Sequence, residues 1–371
     1  MTDQKNKPAS IGAASKIGIL LSAIGLAVGG FAQALAKNAG PVGLQRDCRS
    51  DPAAMQALMD PAFASFASSV LNRRELDRTV ENMPRIRQNF KESNAEMRAG
   101  HKPQPPSDVT MDEIEIPGPD GAPPIRALLY KAPGHKDARP ALLDIHGGGY
   151  TIGLPEMNDY RNRFLAKDLG AVIVSIDYRL APEHPFPAAA DDAYASLAWM
   201  HDNAKMLGID PKKIAVSGDS AGGAIAGGLA VRARDQGEYP IALTVLIYPG
   251  LDDRAGTDLD PTCKPGTAAP WPGARKAYLR DVARPDNVSP YAFPARAQSL
   301  AGLPPTFVAL GALDAGQVPA LALAQRLMSE HVATELHVYP GAPHGFDYVP
   351  NAQASKRFYD DLRHALQTAW E

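Results

Sequence analysis

Residues 213–223 read KIAVSGDSAGG, and the reading of this stretch decides how the rest of the chain is folded. Ile214–Ser217 is a short apolar run of strand length, and the segment from Ala221 to Gln236 has the length and composition of a helix. Between them stands Gly218-Asp219-Ser220-Ala221-Gly222. A serine on so sharp a strand-to-helix turn is held in a strained backbone conformation, and the flanking glycines leave room for it. The helix N-terminus behind it favours negative charge developing nearby. In this context Ser220 is a candidate nucleophile, whereas the bare pattern elsewhere would be an ordinary glycine turn.

The same alternation extends outward in both directions. Strands are predicted at Ala141–Ile145, Ala171–Ile176, Leu243–Tyr248, Thr306–Leu310 and Glu335–Tyr339, and helices around Tyr160–Leu169, Ala188–Leu207, Pro319–His331 and Gln353–Trp370. Two further strands, Thr110–Ile116 and Ile125–Tyr130, flank a Pro-Gly-Pro-Asp-Gly turn and lead into this pattern as an antiparallel pair. Apolar strands taking turns with helices predict a mostly parallel α/β sheet covered on both faces. Residues 50–100 read as helices, with Met55, Leu58, Met59 and Ala62, and then Leu76, Val80 and Met83, at helical spacing. The stretch 252–302 is proline-rich and lacks a clear strand, which in a compact domain marks a lid or binding loop.

A serine hydroxyl needs a base within hydrogen-bond reach. His344, in Pro343-His344-Gly345-Phe346, lies just past the last strand and before the final helix, on the loop where the base that serves a nucleophile elbow belongs. Asp314, following TFVALGAL, lies between nucleophile and base in the chain and is the candidate that orients the histidine. Asp252, Asp253 and Asp281 read as solvated, as do His101, His135 and His201. His146-Gly147-Gly148-Gly149 ends the strand ALLDI. Consecutive glycines let backbone N–H groups point into a site. Gly148 and Gly149, with Ala221 after the nucleophile, are therefore candidate oxyanion donors, and His146 and Gly147 support their loop. A dinucleotide fingerprint would open a helix at once, which GGGYTIGLPE does not do.

The set HGGGY, DYRLAPEHPFPAAADDA, SGDSAGG, SPY and PHGF resembles the hormone-sensitive lipase family, especially its microbial esterase branch. The likeness runs from about Met111 to the C-terminus. It implies an α/β-hydrolase fold with a cap of N-terminal helices, a triad of Ser220, Asp314 and His344, and oxyanion donors at Gly148, Gly149 and Ala221. It also implies hydrolysis of short- to medium-chain esters without a cofactor. On this basis residues 37–105 form the cap region and 106–371 the catalytic domain, with 252–302 a cap-like insertion. The family commonly has a second acidic residue shortly after its aspartate, and Leu313-Asp314-Ala315-Gly316-Gln317 lacks it. Asp177, Arg179 and Glu183 are read as loop-bracing ion pairs. Asp219, Tyr150, Trp271 and Tyr291 are candidate pocket residues, against plain packing.

Composition bounds the remaining readings. A 45% apolar fraction over 371 residues supplies a large core, and a net charge of −3 offers no basic face for nucleic acid. Cys48 and Cys263 lack metal or dithiol spacing and read as two free or buried thiols, with a pairing between them the alternative if the chain is exported. Lys5, Lys7 and Lys16 precede an uncharged run from Ile17 to Ala36 ending Ala34-Leu35-Ala36. This pattern fits a cleaved export signal, and so a periplasmic or secreted enzyme. The alternatives are a retained membrane anchor, or an apolar helix packed on a cytoplasmic enzyme. The expected partner is a small ester, and a homo-oligomer is left open. The same machinery would serve an amidase, a lactonase or a lipase, and a non-catalytic small-molecule receptor is the competitor from another class.

Overall fold

The computed structural model describes residues 57–66, 79–100, 104–134, 138–254, 272–280, 287–314 and 316–371. The expected N-terminal signal or anchor, both cysteines and Trp271 lie outside them.

Eight strands form a single sheet: β1 (Thr110–Ile116), β2 (Ile125–Lys131), β3 (Arg139–Ile145), β4 (Val172–Ile176), β5 (Ile209–Asp219), β6 (Thr244–Ile247), β7 (Thr306–Gly311) and β8 (Thr334–Tyr339). Their spatial order is β1-β2-β4-β3-β5-β6-β7-β8. The β1–β2 and β2–β4 pairs are antiparallel and all later pairs parallel. Each strand coincides with a segment predicted from the sequence. β5 alone is markedly longer: it begins where Ile209 pairs with Arg139 of β3, ahead of a register shift, and it pairs with β3 as far as Gly218 and with β6 as far as Asp219, the residue before Ser220.

The principal helices are α1 (Met83–Gly100), α2 (Asp159–Leu169), α3 (Ala188–Asp202), α4 (Ala221–Gln236), α5 (Pro272–Leu279), α6 (Gln317–Ser329) and α7 (Gln353–Trp370). The helix predicted over 188–207 is interrupted at Asn203, which divides it into Ala188–Asp202 and a single turn at Ala204–Leu207; the Asn203 side-chain amide and its backbone N–H both donate to the Trp199 carbonyl, at 2.9 and 3.0 Å.

Period-two alternation in the inner strands sorts their side chains into two cores. Leu143, Ile145, Val174, Val216 and Val308 pack on one face with α3, α4 and α6. Leu142, Ile173, Ala215, Val245 and Phe307 pack on the other with α2 and α7. The described part of 252–302 joins the first core through Tyr278, Val288, Ala292 and Phe293, all buried. The cover over the strands' carboxyl ends comes from residues nearer the N-terminus. There the expected stripes shift: Leu58 and Val80 are exposed, and α1 buries Met83 and Ile86 against Ile152, with Phe90 beside them.

Candidate active site

Ser220 sits between β5 and α4 at φ 56°, ψ −115°, a region costly for a residue with a side chain. Its neighbours fix it there. Its N–H donates to Ile247 O at 2.9 Å, and its carbonyl accepts from Ala224 N at 3.2 Å and Gly250 N at 3.0 Å. A side chain at Gly222 would place Cβ 2.1 Å from the Ile145 carbonyl, so glycine there lets α4 start hard against β3.

His344 brings the turn after β8 to this elbow. Its Nε2 lies 2.8 Å from Ser220 Oγ and its Nδ1 2.7 Å from Asp314 Oδ2. With the proton on Nδ1, the ring donates to Asp314 and leaves Nε2 free to accept the serine proton. Asp314 is buried, and its other oxygen accepts from Gly316 N at 2.8 Å. That main-chain bond secures the carboxylate although the expected second acid is missing. Burial works against a charged imidazole, but the Asp314 charge and hydrogen bond, with smaller help from Asp219 and Asp347, raise His344 above its ordinary 6.5.

The glycine loop lies opposite. Gly148 and Gly149 have φ 119° and 59°, and a Cβ at Gly148 would meet the Ile152 carbonyl at 2.0 Å. Among the loop and turn bonds of the described residues, no backbone carbonyl takes the N–H of Gly148, Gly149 or Ala221. His146 is fully buried, stacked on Tyr178 with ring centroids 4.3 Å apart, its Nδ1 2.7 Å from Gly147 O. Gly147 leaves no space for a side chain, since a Cβ would lie 2.4 Å from Asp219 Oδ2.

Behind the serine runs a buried polar network that the sequence did not reveal. Arg161 reaches Asp144 at 3.0 Å, Asp219 at 3.3 Å and Asp347 at 2.8 Å, all four side chains being at most 2% exposed. Asn158 donates to Asp144 and Asp219, and Asn162 and Ser175 donate to Asp144. Tyr348 OH donates to Asp219, and Tyr248 OH to Asp347. Burial pushes both phenols well above their usual range, so they remain donors. Burial also raises the Asp347 carboxyl, against the pull of Arg161. The sequence signals were thin: a polar cluster on α2, and tyrosines at the end of β6 and after PHGF.

A cavity of about 630 Å³ opens on Ser220, His344, Gly148 and Asp219. Phe66 and, from α1, Phe90, Ser93, Asn94, Glu96 and Met97 line it together with Ile152, Met157, Tyr348 and Val349. Of the three candidate pocket residues that the structure describes, Asp219, Tyr150 and Tyr291, Asp219 alone lines it. Tyr150 instead stacks on Tyr278 at 3.9 Å with Phe293 at its edge. Tyr291 points away and donates to Asp235 at 3.1 Å. Both expectations are corrected, because the insertion carrying Tyr278, Tyr291 and Phe293 joins the core. Asp253, expected in solvent, is buried and paired with Arg296 at 2.7 Å. Asp177, Arg179 and Glu183 form ion pairs with Arg126, Asp192 and Arg87.

Sheet order, elbow and convergent side chains define a hydrolase of the doubly covered α/β type. A family model described as alpha/beta hydrolase fold matches residues 142–348, and the chain belongs to that family, in its hormone-sensitive-lipase-like group. It is 36% identical to the carboxylic ester hydrolase LipN of Mycobacterium tuberculosis over 68% of this chain and 69% of that protein. It is 32% identical to the ethyl acetate hydrolase of Pseudomonas putida over 70% of this chain and 81% of that one. Among solved structures, a bacterial heroin esterase superposes with a TM-score of 0.75 at 33% identity, covering 85% of this chain and 99% of the other.

Proposed function

We propose that this chain is a serine carboxylesterase that hydrolyses short- to medium-chain esters through an acyl-enzyme on Ser220. The observation that carries the reading is the continuous chain of hydrogen bonds Ser220–His344–Asp314, at 2.8 and 2.7 Å. His344 Nε2 takes the hydroxyl proton as Oγ attacks the ester carbonyl carbon. The resulting oxyanion is met by the N–H groups of Gly148, Gly149 and Ala221. Collapse breaks the bond to the alcohol oxygen, which leaves with the proton from His344. A water molecule, deprotonated by the same ring, then adds to the acyl carbon, and Ser220 recovers its proton as the acid departs.

Residues 57–66 and 83–100 act as the cap, and the relatives' names, carboxylic ester hydrolase and ethyl acetate hydrolase, favour small esters. The cavity of about 630 Å³ suits acyl groups of modest length. The test is p-nitrophenyl butyrate turnover together with fluorophosphonate labelling located by mass spectrometry. Label on Ser220, and loss of both signals in a folded Ser220→Ala variant, support the reading; turnover that survives the substitution refutes it.

A further inference from the structure

Of the polar residues that α1 gives to the cavity, Ser93, Asn94 and Glu96, Asn94 alone is buried. Met83, Ile86, Phe90, Asn94 and Met97 follow one another at spacings of three and four and so share one face of the helix. Four of the five are apolar. Asn94 is 3% exposed and lines the cavity, yet its side-chain Nδ2 is buried without a hydrogen-bond acceptor among the described residues. An amide N–H taken from water and given no partner is a net cost, which leucine at the same point of the stripe would avoid. The cost is offset when something entering the cavity supplies an acceptor oxygen.

We infer that Asn94 is a specificity-determining residue, donating a hydrogen bond to a second acceptor oxygen of the substrate. Resting on the ester-hydrolase reading above, this narrows the substrate class to esters that carry a carbonyl oxygen beyond the scissile group. The rest of the wall supports the assignment. Ser65, Ser93 and Glu96 on the same lining are wholly or partly open to water, whereas Asn94 is buried beside Phe90 and Met97, so its amide is the donor that fixes where along the substrate a polar atom must fall. A site built around a hydrogen bond discriminates against an analogue lacking the acceptor, because binding that analogue leaves the buried donor unpaired.

The test uses isosteric pairs in which a ketone carbonyl replaces a methyl-bearing CH. Ethyl 4-oxopentanoate against ethyl 4-methylpentanoate probes the acyl side, and acetonyl butyrate against isobutyl butyrate the alcohol side. Each kcat/KM ratio is normalised to alkaline hydrolysis, which removes intrinsic reactivity. The wild type is expected to favour the keto ester about tenfold in at least one pair. Asn94→Leu should bring that ratio to about one. Asn94→Asp, of the same size but without the donor, should bring it below one. Wild-type ratios within twofold of unity in both pairs overturn the inference without any variant, as does a keto preference that persists in both. Failure of the wild type to turn over p-nitrophenyl butyrate at all is a different result, and brings down the esterase reading on which this one rests.

Discussion

Asp219, adjacent to Ser220, and Asp347, just beyond His344, are held by the same buried guanidinium. Arg161 Nη2 lies 3.3 Å from Asp219 and Nη1 2.8 Å from Asp347. The two segments that meet in the Ser220–His344 hydrogen bond are thus tied through one cation on α2. Removing that cation would leave three buried carboxylates facing one another. Arg161→Leu is therefore expected to cost about 3–5 kcal/mol of stability, read from urea unfolding. A loss below about 1 kcal/mol would show that the carboxylates are neutral without the arginine.

The raised His344 sets the pH dependence. The ring acts as a base only when neutral, so kcat/KM should climb with pH, with its half-point above 6.5 and a plateau beyond. In Asp314→Asn the burial that opposes charge stays while the opposing carboxylate goes, so the half-point should move to lower pH. The maximal rate should fall by roughly 10³–10⁴. The linked stability has the opposite sign: pairing with Asp314 stabilises the fold fully below pH 6.5, and that contribution fades as pH rises through the raised value. A pH–rate profile of each enzyme, beside its melting curve, checks both. An ascending limb centred below 6.5 in the wild type would contradict the assignment of the base.

Gly148 tests the opposite wall. Its φ of 119° is strained for any other residue, and an added Cβ would collide with the Ile152 carbonyl. Gly148→Ala must therefore move the loop and turn its N–H away from the oxyanion. A fall in kcat of about 10²–10³ is expected, while fluorophosphonate labelling of Ser220 slows but persists. Unchanged kcat would remove Gly148 from the donors.

How much of this was legible in the sequence follows from how each part is encoded. The strands announced themselves because Ala141–Ile145, Ile214–Ser217 and Thr306–Leu310 are mostly apolar runs, as strands buried on both faces are, and Asp144 is the one charge inside them. Ser220, Asp314 and His344 stood in local contexts that carry their meaning: a strand end, a glycine, an order along the chain. The Arg161 network had no such context. Its partners come from β3, α2, β5 and the His344 loop, so nothing but the folded sheet brings Asp144, Asp219 and Asp347 to one guanidinium. Tyr150 and Tyr291 were misplaced for a related reason. An aromatic beside a glycine loop or in a long insertion has the same composition whether it faces substrate or core, and packing against Tyr278 and Phe293 decided for Tyr150. Asn94 escaped because a polar residue on a helix reads by default as solvent-facing.

Arg87 decides how firmly α1 covers the site. Its Nε donates to Thr151 O at 2.9 Å, Nη2 to Ala181 O at 3.0 Å, and its two terminal nitrogens to the Glu183 carboxylate at 2.9 and 2.7 Å. Thr151 belongs to the glycine loop, so one side chain staples the wall carrying Phe90, Asn94 and Met97 to the loop carrying Gly148. The ion pair is partly open to solvent, which limits its worth to roughly 1 kcal/mol. Arg87→Met keeps the stem and removes all four bonds, and should lower Tm by no more than about 4 °C. Its larger effect should fall on binding. A loosened wall holds ground state and transition state less well alike, so KM should rise several-fold while kcat changes little. Glu183→Gln preserves the shape and the carbonyl contacts, and should give a smaller rise in KM that shrinks further at high salt. Steady-state kinetics on one short ester separate the cases: a fall in kcat with KM unchanged would mean that Arg87 acts on the glycine loop and the oxyanion donors rather than on the cover.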